Sequence, residues 1–338
     1  MHAFDDQAFV KEILPHVSRT FTLSIEGLPL NLQEAVRVAY LLCRIVDTIE
    51  DTPSFSWDQR IALYDCFDQT LTDDGYTTHH LEELFKRYLD NASDWEKNLC
   101  HQSGAVFRIF RTLPFAQRQA IRPSVFEMSR GMRKYSERVT QDKALQLVDL
   151  EDLEQYCYYV AGTVGNLLTQ LFLDSLDPVK IEDQASLKSH AVNFGLGLQL
   201  VNIVKDVVED YKRGICFLPL KLAEENHLNL AGLLSEEQRT ALRRVVKHLC
   251  QRARTHLDLA EAYTLQWPVP EGNAIRLFCT VPLALAFATL KEVENIGHDF
   301  HQQHAPKVSR ATVVKIMMEA NHDVGGNESL AALFHRYA

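Results

Sequence analysis

The chain has 338 residues, of which 46% are hydrophobic, enough for one large core or two smaller ones. Its formal net charge of −10 gives no basic footprint, which argues against nucleic acid as a partner. Seven cysteines, an odd number without CxxC spacing, read as reduced thiols of a cytosolic protein rather than as a disulfide scaffold or zinc ribbon.

Apolar residues recur at intervals of three and four along nearly the whole chain, and alternating β-branched runs between Asn-Gly turns are absent. The pattern predicts an all-α protein of about ten helices. The N-terminus, Met1-His-Ala-Phe-Asp-Asp, is acidic and lacks the basic region and apolar stretch of a signal peptide, so the mature chain is expected to start near Met1. Breaks are expected at Thr52 to Trp57, Thr72 to Thr78, Asn91 to Asp94, Thr140 to Lys143, Asp174 to Glu182 and Trp267 to Gly272, each rich in turn-forming residues. No long low-complexity linker and no fixed-period repeat interrupts the chain. One helical domain over residues 1–338, with a central cavity, is therefore expected.

Two acidic signatures share one internal spacing: Asp47-Thr-Ile-Glu50-Asp51 and Asp206-Val-Val-Glu209-Asp210. Positions three or four apart share a helix face, so each signature projects its carboxylates from one stripe. An acidic cluster at this spacing is ordinarily a solvated helix face. Here each ends a core-type run, Ala39 to Val46 in the first case and Gly195 to Lys205 in the second. Tyr40, Arg44, Asp47 and Asp51 fall on one stripe, and Gln199, Asn202, Asp206 and Asp210 on another. Polar groups along a buried helix face are costly unless something binds there. Hard carboxylate oxygens suit Mg²⁺, which takes one or two of them and completes its shell with water and phosphate oxygens. The two stripes are thus expected to face each other as a metal–diphosphate clamp.

Other features carry less. Gly195-Leu-Gly197 lies inside a helical pattern and is not the turn of a dinucleotide-binding unit. The run Leu277 to Leu290 is shorter than the ~20 residues of a membrane span and contains Pro282, so any membrane association is expected to be peripheral. That run reads either as ordinary core or as an apolar exit wall. His301-Gln-Gln-His304 has no neighbouring acid or cysteine to complete a metal site.

Several blocks together resemble the squalene/phytoene synthase family: Ser18-Arg-Thr-Phe21, Tyr40 to Asp51, Tyr156-Cys-Tyr-Tyr-Val160-Ala-Gly-Thr-Val-Gly165, and Gln199 to Asp210, closing at Phe217-Leu-Pro219. Phe278-Cys-Thr-Val-Pro282, Ala286 to Leu290, Asn295, Phe300 and Lys307, with the DTxED form of the first signature, look like the squalene synthase branch, of a bacterial type without the C-terminal anchor of eukaryotic forms. The resemblance implies the all-α isoprenoid synthase (class I terpenoid synthase) fold. It also implies two farnesyl diphosphates as substrates, Mg²⁺, NADPH, and squalene made through presqualene diphosphate. A family member that stops without reduction, at presqualene diphosphate, dehydrosqualene or phytoene, is the alternative, and an inactive helical homologue a more distant one.

Carried onto this sequence, the resemblance implies that Asp47, Glu50, Asp51, Asn202, Asp206, Glu209 and Asp210 hold metal, the two glutamates through water or from behind the direct ligands. Ser18, Arg19, Arg44, Gln199, Lys205 and Arg213 would contact diphosphate. Tyr156, Arg44 and Phe278 would take part in catalysis, and Phe21, Tyr40, Val160, Ala161 and Gly165 would line the prenyl cavity. Lys307 and Arg310 would bind the cofactor. Arg44 also reads as an intrahelical partner of Asp47 or Asp51, Tyr156 as a core aromatic, and the glycines as close helix packing. The sequence departs from the family at Ile215 and Ser309, where basic residues are usual, and at Lys205, where arginine is. Peripheral membrane contact and a monomeric state complete the expectation.

Overall fold

The computed structural model describes residues 2–18, 21–142, 145–296 and 305–338. Among these, every regular element is helical and no strand occurs. Contacts gather into two compact units, Met1–Glu137 with Asn166–Pro178, and Arg138–Gly165 with Val179–Ala338.

The first unit comprises α1 (His2–Val17), α2 (Phe21–Glu26), α3 (Leu30–Asp51), α4 (Trp57–Thr72), α5 (His79–Tyr88), α6 (Asp94–His101), α7 (Ser103–Thr112) and most of α8 (Phe115–Asp142). Its centre is α3, whose Leu41, Leu42, Ile45, Val46 and Ile49 are fully buried. Phe67 of α4 meets Phe107 of α7 edge to face at 5.4 Å, a favoured aromatic geometry. Ser56-x-x-Gln59 and Ser93-x-x-Glu96 form reciprocal capping boxes that start α4 and α6. The end of α3 is tied down by Arg60 of α4, which donates to the carbonyls of Ile49 (3.2 Å), Glu50 and Thr52 (2.7 Å). A cation on the last carbonyls of a helix satisfies acceptors that have no intrahelical partner and suits the helix dipole.

The second unit contains α9 (Leu150–Cys157), a π-helical turn (Tyr158–Gly162), the start of α10 (Thr163–Ser175), α11 (Gln184–Lys212), α12 (Leu220–Glu225), α13 (Arg239–Leu265), α14 (Asn273–Ile296), α15 (Arg310–Asp323) and α16 (Asn327–Tyr337). Glycines let these helices approach closely. A Cβ on Gly165 would lie 2.1 Å from the Ala191 carbonyl oxygen, and one on Gly195 would lie 2.2 Å from that of Ala161. Both glycines therefore sit directly against a facing backbone. Arg276, fully buried on α14, donates to the carbonyls of Leu265 (3.1 Å), Trp267 (3.1 Å) and Val324 (2.9 Å), joining the ends of α13 and α15.

All six expected breaks fall at or beside helix ends, with α8 continuing to Asp142 before the undescribed residues 143–144. Sixteen α-helices stand among the described residues where about ten were expected. The additional boundaries have weak local punctuation. α6 passes to α7 at Gln102 with no proline and only Gly104, inside α7, nearby, while α1, α8 and α14 run through Pro15, Pro123 and Pro282. By length and composition α11 and α14 are apolar enough to cross a membrane, but 56% and 72% of those stretches is buried in the protein. Between Leu277 and Leu290, Phe278, Leu283, Ala284, Phe287 and Leu290 are all buried, so this run is core.

Candidate active site

In the first unit the expected residues assemble around α3. Ser18 Oγ accepts from the Phe21 amide at 3.3 Å, starting α2, and the Tyr40 hydroxyl donates to the Val17 carbonyl at 3.2 Å. The Phe21 and Tyr40 rings lie 5.9 Å apart. One turn beyond Tyr40, Arg44 pairs with Glu96 of α6 and reaches Asp47 at 3.9 Å. The intrahelical reading of Arg44 therefore describes only its weaker contact. Glu96 is a residue that sequence reasoning passed over. Its other oxygen accepts from Ser93 Oγ at 2.7 Å, so the capping box that starts α6 also fixes the acid opposite Arg44. The Ser-x-x-Glu spacing was the available signal. Arg19 lies outside the described residues, as do Phe300, His301 and His304.

The stripe Tyr40, Arg44, Asp47, Glu50 is half-buried rather than sealed, and Asp51 is exposed. Solvent thus reaches one side of a helix whose other sides are core. Burial pushes the Asp47 carboxyl up to about 7; Arg44 opposes this, while Asp51 and Glu96 add to it. Burial would lower the Arg44 guanidinium, but Asp47 and Glu96 outweigh it and raise it instead.

In the second unit the other acidic signature ends α11. Gln199, Lys205, Asp206 and Glu209 are half-buried, Asn202 is exposed and Asp210 is buried. This stripe too is partly open, not the sealed face the sequence suggested. Asp206 pairs with Lys205 at 3.1 Å, and Asp210 pairs with Arg213. The helix stops at Gly214, where φ is +81°, a left-handed conformation that glycine adopts at low cost. The Ile215 amide then bonds back to the Asp210 carbonyl at 2.9 Å. Ile215 thus forms the closing turn, while the nearby positive charge comes from Arg213. Glu209 accepts from the Ala305 amide at 3.2 Å, drawing the segment that carries Lys307 and Arg310 to the acidic helix end. Ser309 caps α15 through the Thr312 amide at 3.1 Å, a structural use of the position where a basic residue was expected.

Tyr156 is buried on α9 and stacks on Phe217 at 5.1 Å, so two of the expected blocks meet through their aromatic rings. Val160 and Ala161 are half-buried within the π turn, Gly165 packs on α11, and Phe278 is buried on α14. Behind Tyr156, Glu154 binds Arg252 and approaches His256 Nε2 at 3.4 Å, and His256 Nδ1 meets Asn193 Oδ1 at 2.8 Å. Burial would raise the Glu154 carboxyl, but the hydrogen bonds from His256 and Arg252 hold it down to about 2. This network ties α9 to α11 and α13, and no sequence motif announced it.

The donor chemistry fits Mg²⁺. Each signature offers hard carboxylate oxygens, and the raised Asp47 beside Asp51 is a site where an added cation relieves repulsion. Among the described residues no three His, Cys, Asp or Glu side chains gather into a metal-holding group. For NADPH the fit is one of charge. Lys307 and Arg310 are exposed cations on the segment held by Glu209.

The helical fold of the described residues matches that of solved isoprenoid synthases. A ligand complex of TcSQS superposes with a TM-score of 0.81 at 25% identity, covering 98% of this chain and 90% of that one. A dehydrosqualene synthase at 22% identity and TM-score 0.67 shares the fold, with 95% and 96% of the chains covered. The chain belongs to the squalene/phytoene synthase family, whose model matches residues 14–312. The squalene synthase of Schizosaccharomyces pombe is 28% identical over 328 residues, which is 96% of this chain and 66% of that protein.

Proposed function

We propose that this chain is a squalene synthase, which joins two farnesyl diphosphates head to head into presqualene diphosphate and reduces that to squalene. The observation that carries the proposal is the matched pair of acidic helix ends, each with its own cations: Arg44 beside Asp47, and Lys205 and Arg213 beside Asp206 and Asp210. Breaking an allylic C–O bond leaves negative charge on diphosphate, and preorganised cations stabilise that charge as it develops. At each acidic helix end the carboxylates, Asp47 with Asp51 and Asp206 with Asp210, would hold Mg²⁺, which would supply further neutralisation. Arg44, locked by Glu96, presents a fork suited to phosphate oxygens. Ser18, Gln199 and Asn202 add polar contacts, and Phe21, Tyr40 and Phe278 offer ring faces that stabilise a cation without capturing it. After the C–C bond forms, a proton leaves toward the Tyr156 hydroxyl or the departing diphosphate. NADPH would supply hydride, and Lys307 and Arg310 would hold its phosphates. The protein works as a monomer on the cytoplasmic side, in peripheral contact with the lipid that receives its hydrocarbon product.

Ile215 and Ser309, fixed in a helix-closing turn and a helix cap, favour one second reading, a non-reducing synthase. Incubation with farnesyl diphosphate and Mg²⁺, with and without NADPH, separates the two. Squalene formed only with NADPH supports the proposal. Presqualene alcohol after phosphatase treatment, or dehydrosqualene, irrespective of NADPH, places the chain in the non-reducing branch, and no consumption of farnesyl diphosphate refutes squalene synthesis and leaves a phytoene-type reaction on geranylgeranyl diphosphate, or an inactive homologue, as the reading.

A further inference from the structure

The two carboxylate oxygens of Glu96 have different duties. Oε2 accepts from the Ser93 amide at 3.1 Å and from the Ser93 hydroxyl at 2.7 Å, closing the capping box that starts α6. Oε1 accepts from Arg44 Nη2 of α3. The cap alone does not require an acid. In the equivalent box of α4 the neutral Gln59 accepts from the Ser56 amide at 2.8 Å through its side-chain oxygen. An acid in a first turn also suits the helix dipole, a need that Asp94 of the same turn already meets. The charge at position 96 therefore belongs to Arg44.

Among the described residues the carboxylates that act on Arg44 are Asp47, Glu96 and Asp51. Asp47 and Asp51 lie in the acidic signature, whereas Glu96 comes from another helix. An arginine and an aspartate three apart on one helix are natural partners. Arg44 Nη1 nevertheless stays 3.9 Å from Asp47 Oδ2, beyond hydrogen-bond reach, while Nη2 contacts Glu96 closely. All three side chains are about three-quarters buried, so solvent screens this choice of partner less than it would at the surface. With position 96 neutral, the carboxylates left near the guanidinium are those of the signature. A side-chain cation seated on Asp47 competes with a metal ion for the same oxygens.

We infer that Glu96 is a positioning residue, which holds Arg44 off Asp47 and so keeps that carboxylate for the metal ion and the guanidinium for diphosphate. The inference rests on the reading of Asp47 as a Mg²⁺ ligand. The test is metal binding by the full chain. Mn²⁺, which takes the same oxygen ligands, is titrated in with inorganic pyrophosphate at fixed concentration and followed by electron paramagnetic resonance against a protein-free control. Wild type, Glu96→Gln, Glu96→Asp, Arg44→Gln, the Arg44→Gln/Glu96→Gln double variant and Asp47→Asn are compared, with melting temperatures alongside.

Glu96→Gln, which keeps the cap as Gln59 does, is expected to raise the Mn²⁺ dissociation constant about fivefold toward that of Asp47→Asn. Glu96→Asp, one methylene shorter, should fall between wild type and Glu96→Gln, and it carries the comparison if the latter does not fold. In the Arg44→Gln background the change at position 96 should have no effect. An equal loss in both backgrounds means that Glu96 acts through its own charge, and overturns the inference. Binding by Glu96→Gln as tight as wild type, with Asp47→Asn weakened, overturns the inference and leaves the metal assignment standing. Asp47→Asn binding as wild type does removes the metal from Asp47, and the inference with it.

Discussion

Arg60 holds the end of the helix on which the first acidic signature lies, through the carbonyls of Ile49, Glu50 and Thr52. Hydrogen bonds from a charged donor are among the stronger ones, so Arg60→Ala is expected to cost about 2 kcal/mol after allowing for its partial exposure. It should also raise the Mg²⁺ concentration needed for half-maximal rate, because Glu50 and Asp51 sit in the turn that frays. Urea denaturation and a Mg²⁺ titration read the two effects; Arg60→Lys should recover less than half, since an ammonium lacks the guanidinium fork. Glu154 makes a different prediction. Its folded carboxyl lies near 2 against an ordinary 4.5, so the stability it contributes is complete above 4.5 and drains as pH falls toward 2. Glu154→Gln should melt lower than wild type at neutral pH and lose less on acidification through that window. Melting curves at stepped pH that run parallel for the two proteins would remove Glu154 as the source of acid sensitivity.

Between helices, the controlling quantity is distance. Adding a methyl group at Gly165 or Gly195 places it about 2 Å from a backbone carbonyl of the facing element, and backbone cannot rotate away as a side chain can. Gly165→Ala and Gly195→Ala should each cost about 3 kcal/mol, whereas Gly325→Ala, with nothing within 4 Å, should leave the melting temperature nearly unchanged. These glycines stood out in the sequence, but whether they thin a helix for a ligand or seat it against a neighbour is a three-dimensional distinction. The same boundary separates what was legible from what was not. Helical class and the acidic stripes follow from periodicity, which is local. Glu96 opposite Arg44, Arg276 across the ends of α13 and α15, and the Glu154 network depend on pairs as much as 102 residues apart, and charge type alone does not select a partner at such range. The junction at Gln102 escaped because one residue breaks the helix there without a proline or a side-chain cap, bonded by backbone on both sides.

Across the whole molecule, the central problem is a chain of net charge −10 handling substrates that are themselves polyanions. Cations stationed beside the acids answer part of it, and divalent ions taken up with the diphosphate answer the rest. If both acidic signatures serve the same leaving group, each is necessary and neither suffices. Removing one preorganised electrostatic element typically costs 10² to 10³ in turnover, so Asp47→Asn and Asp206→Asn should each lose roughly that much in diphosphate release from farnesyl diphosphate. Groups that act as a unit are strongly non-additive, so the double variant should be little slower than the worse single one. Two signatures working independently would instead multiply their losses. Initial rates for the four proteins at saturating Mg²⁺, with each fold confirmed by its melting temperature, decide between these outcomes. Multiplied losses would mean that the signatures act in separate steps, and near-normal turnover in either single variant would remove that signature from the chemistry.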